Sequence, residues 1–359
     1  MSIKRRFNVA VVGATGAVGR EVLRVLEEHR FPISNICLLA SERSEGRRLS
    51  FNGSTHRVER LTKRVFDGID LALFSAGAGR SLEFAPEAVR RGAVVVDNSS
   101  AFRLQDGVPL VIPEVNPDAL QRHHGLIANP NCSTIVMLVP LKPLHDAARI
   151  KRIIVATYQS VSGAGARAMA QLYDETKVAL RQLSVSSSTF KVNPKLSTRH
   201  AHLSTSLPAQ IAFNLIPQVD VFLDNRYTKE ETKMVHETRK ILGEPALAIS
   251  ATCVRVPVFV AHSEAIWIET ERPLPPDEAR RILQQAPGVR LIDDVAHAAY
   301  PLPLQAAGRD EVLVGRIRTD ESVPHGLVLW VCGDNLRKGA ATNAIQIAEL
   351  LISKQLRRD

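Results

Sequence analysis

Aromatic residues make up only 5% of this 359-residue chain, and two are Trp and four Tyr. Proteins that hold single-stranded nucleic acid stack bases on aromatic rings, so the scarcity argues against that reading of the net charge of +9. Zinc-finger and RNA-binding motifs are absent too, and the 46 basic residues are scattered rather than clustered. Such a surplus fits an enzyme whose ligands are anions, with spare cations on a solvated surface. Cysteine is also scarce: Cys37, Cys132, Cys253 and Cys332 lie far apart with no CxxC pair. That excludes a disulfide framework and a zinc site, so no metal is expected and a reducing, cytoplasmic setting is. No stretch approaches the roughly 18 apolar residues of a membrane span. Lys4-Arg5-Arg6 before an apolar run has the look of a signal peptide, but Gly13, Gly16 and Gly19 interrupt the run. The expected partners are small molecules, with neither nucleic acid nor membrane.

What is present is a hydrophobic content of 45%, enough for a core, and a length that suggests two domains. In the first third, short apolar runs alternate with helical ones. Phe7–Val12, Ile36–Ala40, Asp70–Ala76, Val94–Asp97 and Leu126–Ala128 read as strands, and Arg20–His29 and Leu82–Arg91 as helices. Alternation of this kind predicts a parallel, doubly wound sheet. After about Ser133 the pattern changes. Ile135–Leu141 continues a helix, Ile153–Tyr158 is a strand, Ala166–Leu183 a long helix, and Ser184–Ser206 a loop or excursion. Thr252–Val260, Glu264–Glu271, Val312–Thr319 and Gly326–Gly333 predict longer strands of a mainly antiparallel sheet, and Ala340–Gln355 an amphipathic helix.

Two motifs carry chemistry. Gly13-Ala14-Thr15-Gly16-Ala17-Val18-Gly19 follows the first strand and opens the first helix. Glycines there let the backbone approach a pyrophosphate, which the free N–H groups of the helix start can bind. At the end of the second strand, Glu42 permits NAD, whereas Arg43 and Ser44 suit the 2′-phosphate of NADP. The second motif is Asn129-Pro130-Asn131-Cys132-Ser133-Thr134, between a strand and an apolar helical run. A helix start stabilises a thiolate, so Cys132 is expected to have a lowered pKa and to act as a nucleophile. The other three cysteines read as inert packing residues. A nucleophilic cysteine usually has an acid–base partner; among eleven histidines, His262, between two predicted strands, is the best placed.

These motifs, with Asp97-Asn98-Ser99-Ser100-Ala101-Phe102-Arg103, Gln159-Ser160-Val161-Ser162-Gly163-Ala164-Gly165, Arg255-Val256-Pro257-Val258-Phe259, His262-Ser263-Glu264 and Asp334 through Asn343, resemble the aspartate-semialdehyde dehydrogenase family over nearly the full length. The resemblance implies an α/β protein: an N-terminal Rossmann-like NADP-binding domain (1–132), a mixed α/β catalytic and dimerisation domain (133–334), and a C-terminal helix returning to the first domain (335–359). It implies NADPH-dependent reduction of L-aspartyl-4-phosphate to L-aspartate 4-semialdehyde and phosphate, within amino-acid biosynthesis, by a homodimer. Cys132 then forms an acyl-thioester, His262 is the acid–base group and Gln159 orients substrate. Arg255 holds the substrate carboxylate, Arg103 and Lys233 its phosphate, and Asn131 and Glu230 contact it. Gly13, Thr15, Gly16, Ala17, Val18, Gly19, Ser41, Arg43, Ser44 and Ser75 bind the nucleotide, and Ser162, Gly163 and Asn335 its nicotinamide side. Arg80, in a turn usually made of glycine and serine, departs from the family pattern. Rival readings are another thioester-forming reductase, such as N-acetyl-glutamyl-phosphate reductase or glyceraldehyde-3-phosphate dehydrogenase, and a catalytically dead NADP sensor.

Overall fold

The apolar runs of the first 130 residues become strands buried on both faces. The structure, a computed structural model, describes residues 6–182, 185–186, 189–190 and 206–353. Its first part runs β1 (Phe7–Val12), α1 (Ala17–Glu28), β2 (Ile33–Ala40), β3 (Arg48–Phe51), β4 (Ser54–Arg60), β5 (Leu71–Phe74), α2 (Ala78–Arg90), β6 (Val94–Asp97), β7 (Leu126–Ala128) and α3 (Cys132–Ala148). The sheet order is β3-β4-β2-β1-β5-β6-β7, parallel throughout except for the β3–β4 pair. That hairpin was not among the expected strands. Its signal was Asn52-Gly53, whose two positive φ angles, 48° and 72°, make the turn that joins twisted antiparallel strands. Only Val58 of β4 is buried, so the pair has no apolar run to announce it.

The second part adds β8 (Ile150–Gln159), α4 (Ala166–Gln182), the two-residue pair β9 (Val185–Ser186) and β10 (Thr189–Phe190), α5 (Lys229–Leu242), β11 (Ala248–Arg255), β12 (His262–Thr270), α6 (Pro276–Gln285), β13 (Val289–Leu291), α7 (Pro303–Ala306), β14 (Val312–Asp320), β15 (Gly326–Gly333) and α8 (Thr342–Ser353). The six-stranded sheet has the order β11-β8-β12-β15-β14-β13. Its three inner pairs are antiparallel and its two margins parallel, so it is more mixed than expected. The strand expected over Thr252–Val260 starts earlier and stops at Arg255, because Pro257 has no N–H for a ladder. Apart from β9, β10 and Ser206, the excursion expected at 184–206 lies outside the described residues.

α3 joins the two sheets. Every residue from Ser133 to Leu141 is buried, and its apolar side chains share a core with β8, β11, β12 and β15. A helix that is apolar all round must be buried, and this burial holds its first residue rigidly. α8 packs beside α1 on one face of the first sheet, in the core that includes Val9 and Val11. α2 covers the other face over Ala10 and Val12. The terminal helix is less amphipathic than expected: Thr342 to Ile345, Ile347 and Ala348 are all buried. Its expected first two residues instead belong to a π-helical turn, Arg337–Ala341.

Candidate active site

The register of the second sheet sets three functional side chains next to one another. Arg255 at the end of β11 pairs with Gln159 at the end of β8. His262 opens β12 opposite Gly333 of β15, and the Ser263–Tyr158 pairing, carried one step on, sets His262 beside Gln159. Alternate residues of a strand share a face, so Cys253, Thr157, Glu264 and Val331 form the next row of the same face. A one-residue slip would turn both rows away from α3.

The start of α3 meets the outer row. Asn131 caps the helix, its Oδ1 accepting from the Ser133 and Thr134 amides at 3.0 and 3.2 Å, so Cys132 is the first helical residue. The Asn131 amide donates to Glu237 at 2.6 Å and its Nδ2 to Glu230 at 2.8 Å. Cys132 Sγ then lies 3.3 Å from His262 Nε2. Two glycines leave the necessary room. A Cβ on Gly163 would sit 2.9 Å from the Arg255 guanidinium and 3.3 Å from the His262 ring, and one on Gly339 would sit 2.9 Å from Cys132 Cβ.

A cavity of about 550 Å³ opens over this row. Cys132, Gln159 and Arg255 line it, as do Arg103, Asn131, Glu230 and Lys233. Gln159 Nε2 donates to Ser133 Oγ at 2.9 Å and lies 3.3 Å from Glu230 Oε1. Arg255 is 5% exposed. It donates to the Ser160 carbonyl at 2.7 Å, and its Nε is buried without a partner among the described residues. Lys233 reaches Asp220 at 2.7 Å and Glu230 at 3.1 Å. Arg103 bridges the Asn98 and Asn129 carbonyls and pairs with Glu237 at 3.0 Å. Asp220 and Glu237 were missed in the sequence. Glu237 had a signal: it follows Glu230 and Lys233 at helical spacings of seven and four, which put all three on one face of α5.

Ser162, Gly163 and Asn335, expected on the nicotinamide side, line the same cavity, with Val18. A second cavity of about 430 Å³ is lined by Gly13, Thr15, Gly16, Ser41 and Ser75. Between them the glycine turn makes a cradle. Gly13 has φ +88°, and its missing Cβ would lie 2.8 Å from the Ser75 backbone; a Cβ on Gly19 would lie 2.2 Å from the Gly13 carbonyl. Ala17 opens α1, and Gly16 before it supplies no side-chain cap, which suits an anionic pyrophosphate. Arg43 and Ser44 line neither cavity. Arg43 is exposed on a short 3-10 turn, and the buried Ser44 has its Oγ 3.4 Å from Thr15 Oγ1. Arg60 and Arg80 line the second cavity instead. Arg60 went unnoticed in the sequence because it lies in the unannounced strand β4.

The electrostatics reverse one expectation. Burial, with the Glu230 carboxylate adding to it, pushes the Cys132 thiol up to about 12, against the pull of Arg103, Arg255 and the Ser133 amide. The helix start acts on the sulfur, but dehydration outweighs it. Burial, helped by the Arg255 charge, holds His262 well below the usual imidazole range. The resting pair is therefore a neutral thiol facing a neutral imidazole. Burial works against the Lys233 ammonium, but Glu230 and Asp220 outweigh it and raise its pKa.

Residues 8–123 match the family model described as the NAD binding domain of semialdehyde dehydrogenase, and residues 141–338 its dimerisation domain. The chain is 52% identical over 98% of its length to the aspartate-semialdehyde dehydrogenase of Aquifex aeolicus, 99% of which is covered. It is 47% identical to that of Bacillus subtilis, covering 97% of this chain and 98% of the other. The crystal structure of aspartate semialdehyde dehydrogenase II from Vibrio cholerae, complexed with ASA, superposes with a TM-score of 0.90 at 47% identity, over 98% of this chain and 99% of that one. Matches of this extent, over a cysteine and a buried arginine at one cavity with an imidazole behind the cysteine, leave a single placement: the chain belongs to the aspartate-semialdehyde dehydrogenase family.

Proposed function

We propose that this protein reduces L-aspartyl-4-phosphate to L-aspartate 4-semialdehyde and phosphate with NADPH, through an acyl-thioester on Cys132. The observation that carries the reading is the 3.3 Å approach of Cys132 Sγ to His262 Nε2 beside a cavity whose charged lining suits each charged end of that substrate. The unpartnered Nε of Arg255 suits the α-carboxylate, since a guanidinium binds carboxylate as a planar fork. Glu230 suits the ammonium, and the Lys233 and Arg103 cations suit the phosphate.

The acyl phosphate needs little help to lose phosphate, so the chain's task is placement. Asn131 and Gln159 hold the start of α3 and the substrate end together. An ammonium beside Glu230 cancels the carboxylate field that opposes a negative charge on Cys132. The Nε2 side of His262 and the amides at the start of α3 face the oxygen that becomes negative when the thioester carbonyl is reduced. The bound dinucleotide supplies the hydride for that reduction. Arg60 and Arg80 at the second cavity, with Arg43 nearby, favour the 2′-phosphate of NADP. The exposed apolar side chains of Phe213, Leu215, Val221 and Phe222 support a homodimer. The setting we infer is the cytoplasm, in the biosynthesis of lysine and diaminopimelate, threonine, methionine and isoleucine. Among the described residues no helix is long and apolar enough to cross a membrane.

The test is phosphate-dependent oxidation of L-aspartate semialdehyde, run with NADP beside NAD. NADP should be the better oxidant. Cys132→Ala should lose on the order of 10⁴-fold in kcat while its circular dichroism and NADP binding persist. Near-normal turnover by that variant would overturn the reading.

A further inference from the structure

The segment from Asp334 to Asn343 carries two buried cations, Arg337 and Lys338, and neither takes part in the chemistry at Cys132. Lys338 is fully buried. Its ammonium donates to Glu114 Oε2 at 2.6 Å, to Gln346 Oε1 at 2.7 Å and to Asn343 Oδ1 at 3.0 Å. Three oxygens take three N–H bonds, so the amine is held charged, and an ammonium can only donate. The π-helical turn Arg337–Ala341 makes this arrangement possible. Its backbone closes in bonds five residues long, from the Gly339 amide to Asp334 and from the Ala341 amide to Leu336. The same spacing brings Lys338 against Asn343.

A donor that cannot accept fixes the direction of the amides beyond it. With Oδ1 turned to Lys338, Asn343 presents Nδ2 to Asn129 Oδ1 at 2.7 Å and to the Val111 carbonyl at 3.0 Å. The buried Asn129 then presents its Nδ2 to Asn98 Oδ1 at 2.7 Å and to the Ala340 carbonyl at 3.3 Å. Asn98 ends the run with Nδ2 on the Phe74 carbonyl at 3.2 Å, an acceptor that cannot donate. Each amide therefore has one orientation that satisfies both of its neighbours. The run ends at the phosphate side of the catalytic cavity, which Asn98 and Arg103 both line. The backbone carbonyls of Asn129 and Asn98 hold the Arg103 guanidinium at 2.9 and 2.8 Å. Of the contacts that anchor Arg103, only the Glu237 pair comes from outside the run.

We propose that Lys338 is a positioning residue: it sets the direction of the amide relay Asn343–Asn129–Asn98, and through that relay it places the Arg103 guanidinium for phosphate. The inference rests on the phosphate reading of Arg103 above and deepens it. Lys338 touches no substrate, and its contribution is orientation alone. Arg255 stands on the second sheet, outside the relay. A disturbed relay should therefore weaken the grip on phosphate and spare the grip on the carboxylate.

The test is phosphate-dependent oxidation of L-aspartate semialdehyde, with the KM of each substrate and a melting temperature measured for every variant. Asn343→Asp keeps an acceptor for Lys338 but turns an oxygen toward Asn129 Oδ1, so the relay has to invert. It should raise the KM for phosphate about tenfold and leave the KM for the semialdehyde within about twofold. Lys338→Met frees the relay and should show the same split. Should that variant fail to fold, Asn343→Asp decides, since its lysine stays paired. Glu114→Gln is the structural control, because it leaves Lys338 an acceptor and the relay its direction. It should lower the melting temperature and hold the KM for phosphate within about twofold. Equal rises in both KM values for Asn343→Asp, or an effect on phosphate as large from Glu114→Gln, would make the network a structural brace and overturn the proposal. Arg103→Lys separates the proposal from the reading beneath it. If that variant leaves the KM for phosphate unchanged, the phosphate reading of Arg103 falls and the proposal with it. If it raises that KM while Asn343→Asp does not, the relay alone falls.

Discussion

The two cavities of this protein are built on different principles. At the catalytic cavity, Arg103, Glu230, Glu237, Arg255 and His262 are all buried, and each has a bonded neighbour. At the second cavity, Arg60 and Arg80 are exposed, as is Arg43 on its turn outside the lining, and the Arg60–Glu42 and Arg80–Glu83 pairs lie on the surface. Buried charges demand partners, so the catalytic end depends on strand register and helix docking. The nucleotide end depends on backbone: a glycine turn and an uncapped helix start, with side chains that water screens. Damage to single side chains should therefore cost far more at the first than at the second.

The strongest test of that contrast is Arg255→Leu. Losing a buried forked contact to a carboxylate should reduce kcat/KM for L-aspartate semialdehyde by roughly 100-fold, chiefly through KM. Unchanged steady-state constants would remove Arg255 from the substrate site.

A second test addresses the row beneath. Glu264 is fully buried, both carboxylate oxygens lack a partner among the described residues, and burial raises its pKa well above the usual range. A carboxyl whose pKa is raised on folding contributes its stability below the unfolded value, about 4.3, and loses it as pH rises toward the folded value. Glu264→Gln removes that titration. The variant should melt close to the parent at pH 4 and higher than it at pH 8.5, by roughly 2–6 °C. An identical difference at both pH values would mean that Glu264 is not held protonated.

The smallest expected effect is at the nucleotide end. Arg43→Ala should raise the KM for NADP by no more than about threefold, as befits a screened surface contact. Arg80→Ala, from the cavity lining, should raise it more. A tenfold or larger effect from Arg43 alone would show that its turn closes over bound nucleotide, and would erase the contrast.

Cys132 was legible because a polar turn with its own capping residue stands directly before an apolar helix, a local pattern. The glycine turn was legible for the same reason. Arg255, Gln159 and His262 could be picked out through family resemblance, but nothing local says that they adjoin: they are separated by about a hundred residues or fewer and meet only through pairing register. Glu237 carried no local mark in the sequence beyond its helical spacing; its place comes from the docking of α5 against the start of α3, where it accepts from the Asn131 amide. The thiol expectation failed for a related reason. A helix start lowers a thiol pKa wherever water remains, and the burial that opposes it at Cys132 comes from tertiary packing, not from its neighbours in sequence.

The sequence alone determined the periodic elements, the glycine turn and the cysteine at the start of a buried helix, since each follows from residues within a few positions of one another. Tertiary structure decided which side chains meet His262, which carboxylates are buried and which arginines line the second cavity. Those properties depend on desolvation and on hydrogen bonds across long separations, such as the Ser160 amide reaching His262, and these arise only when the strands align.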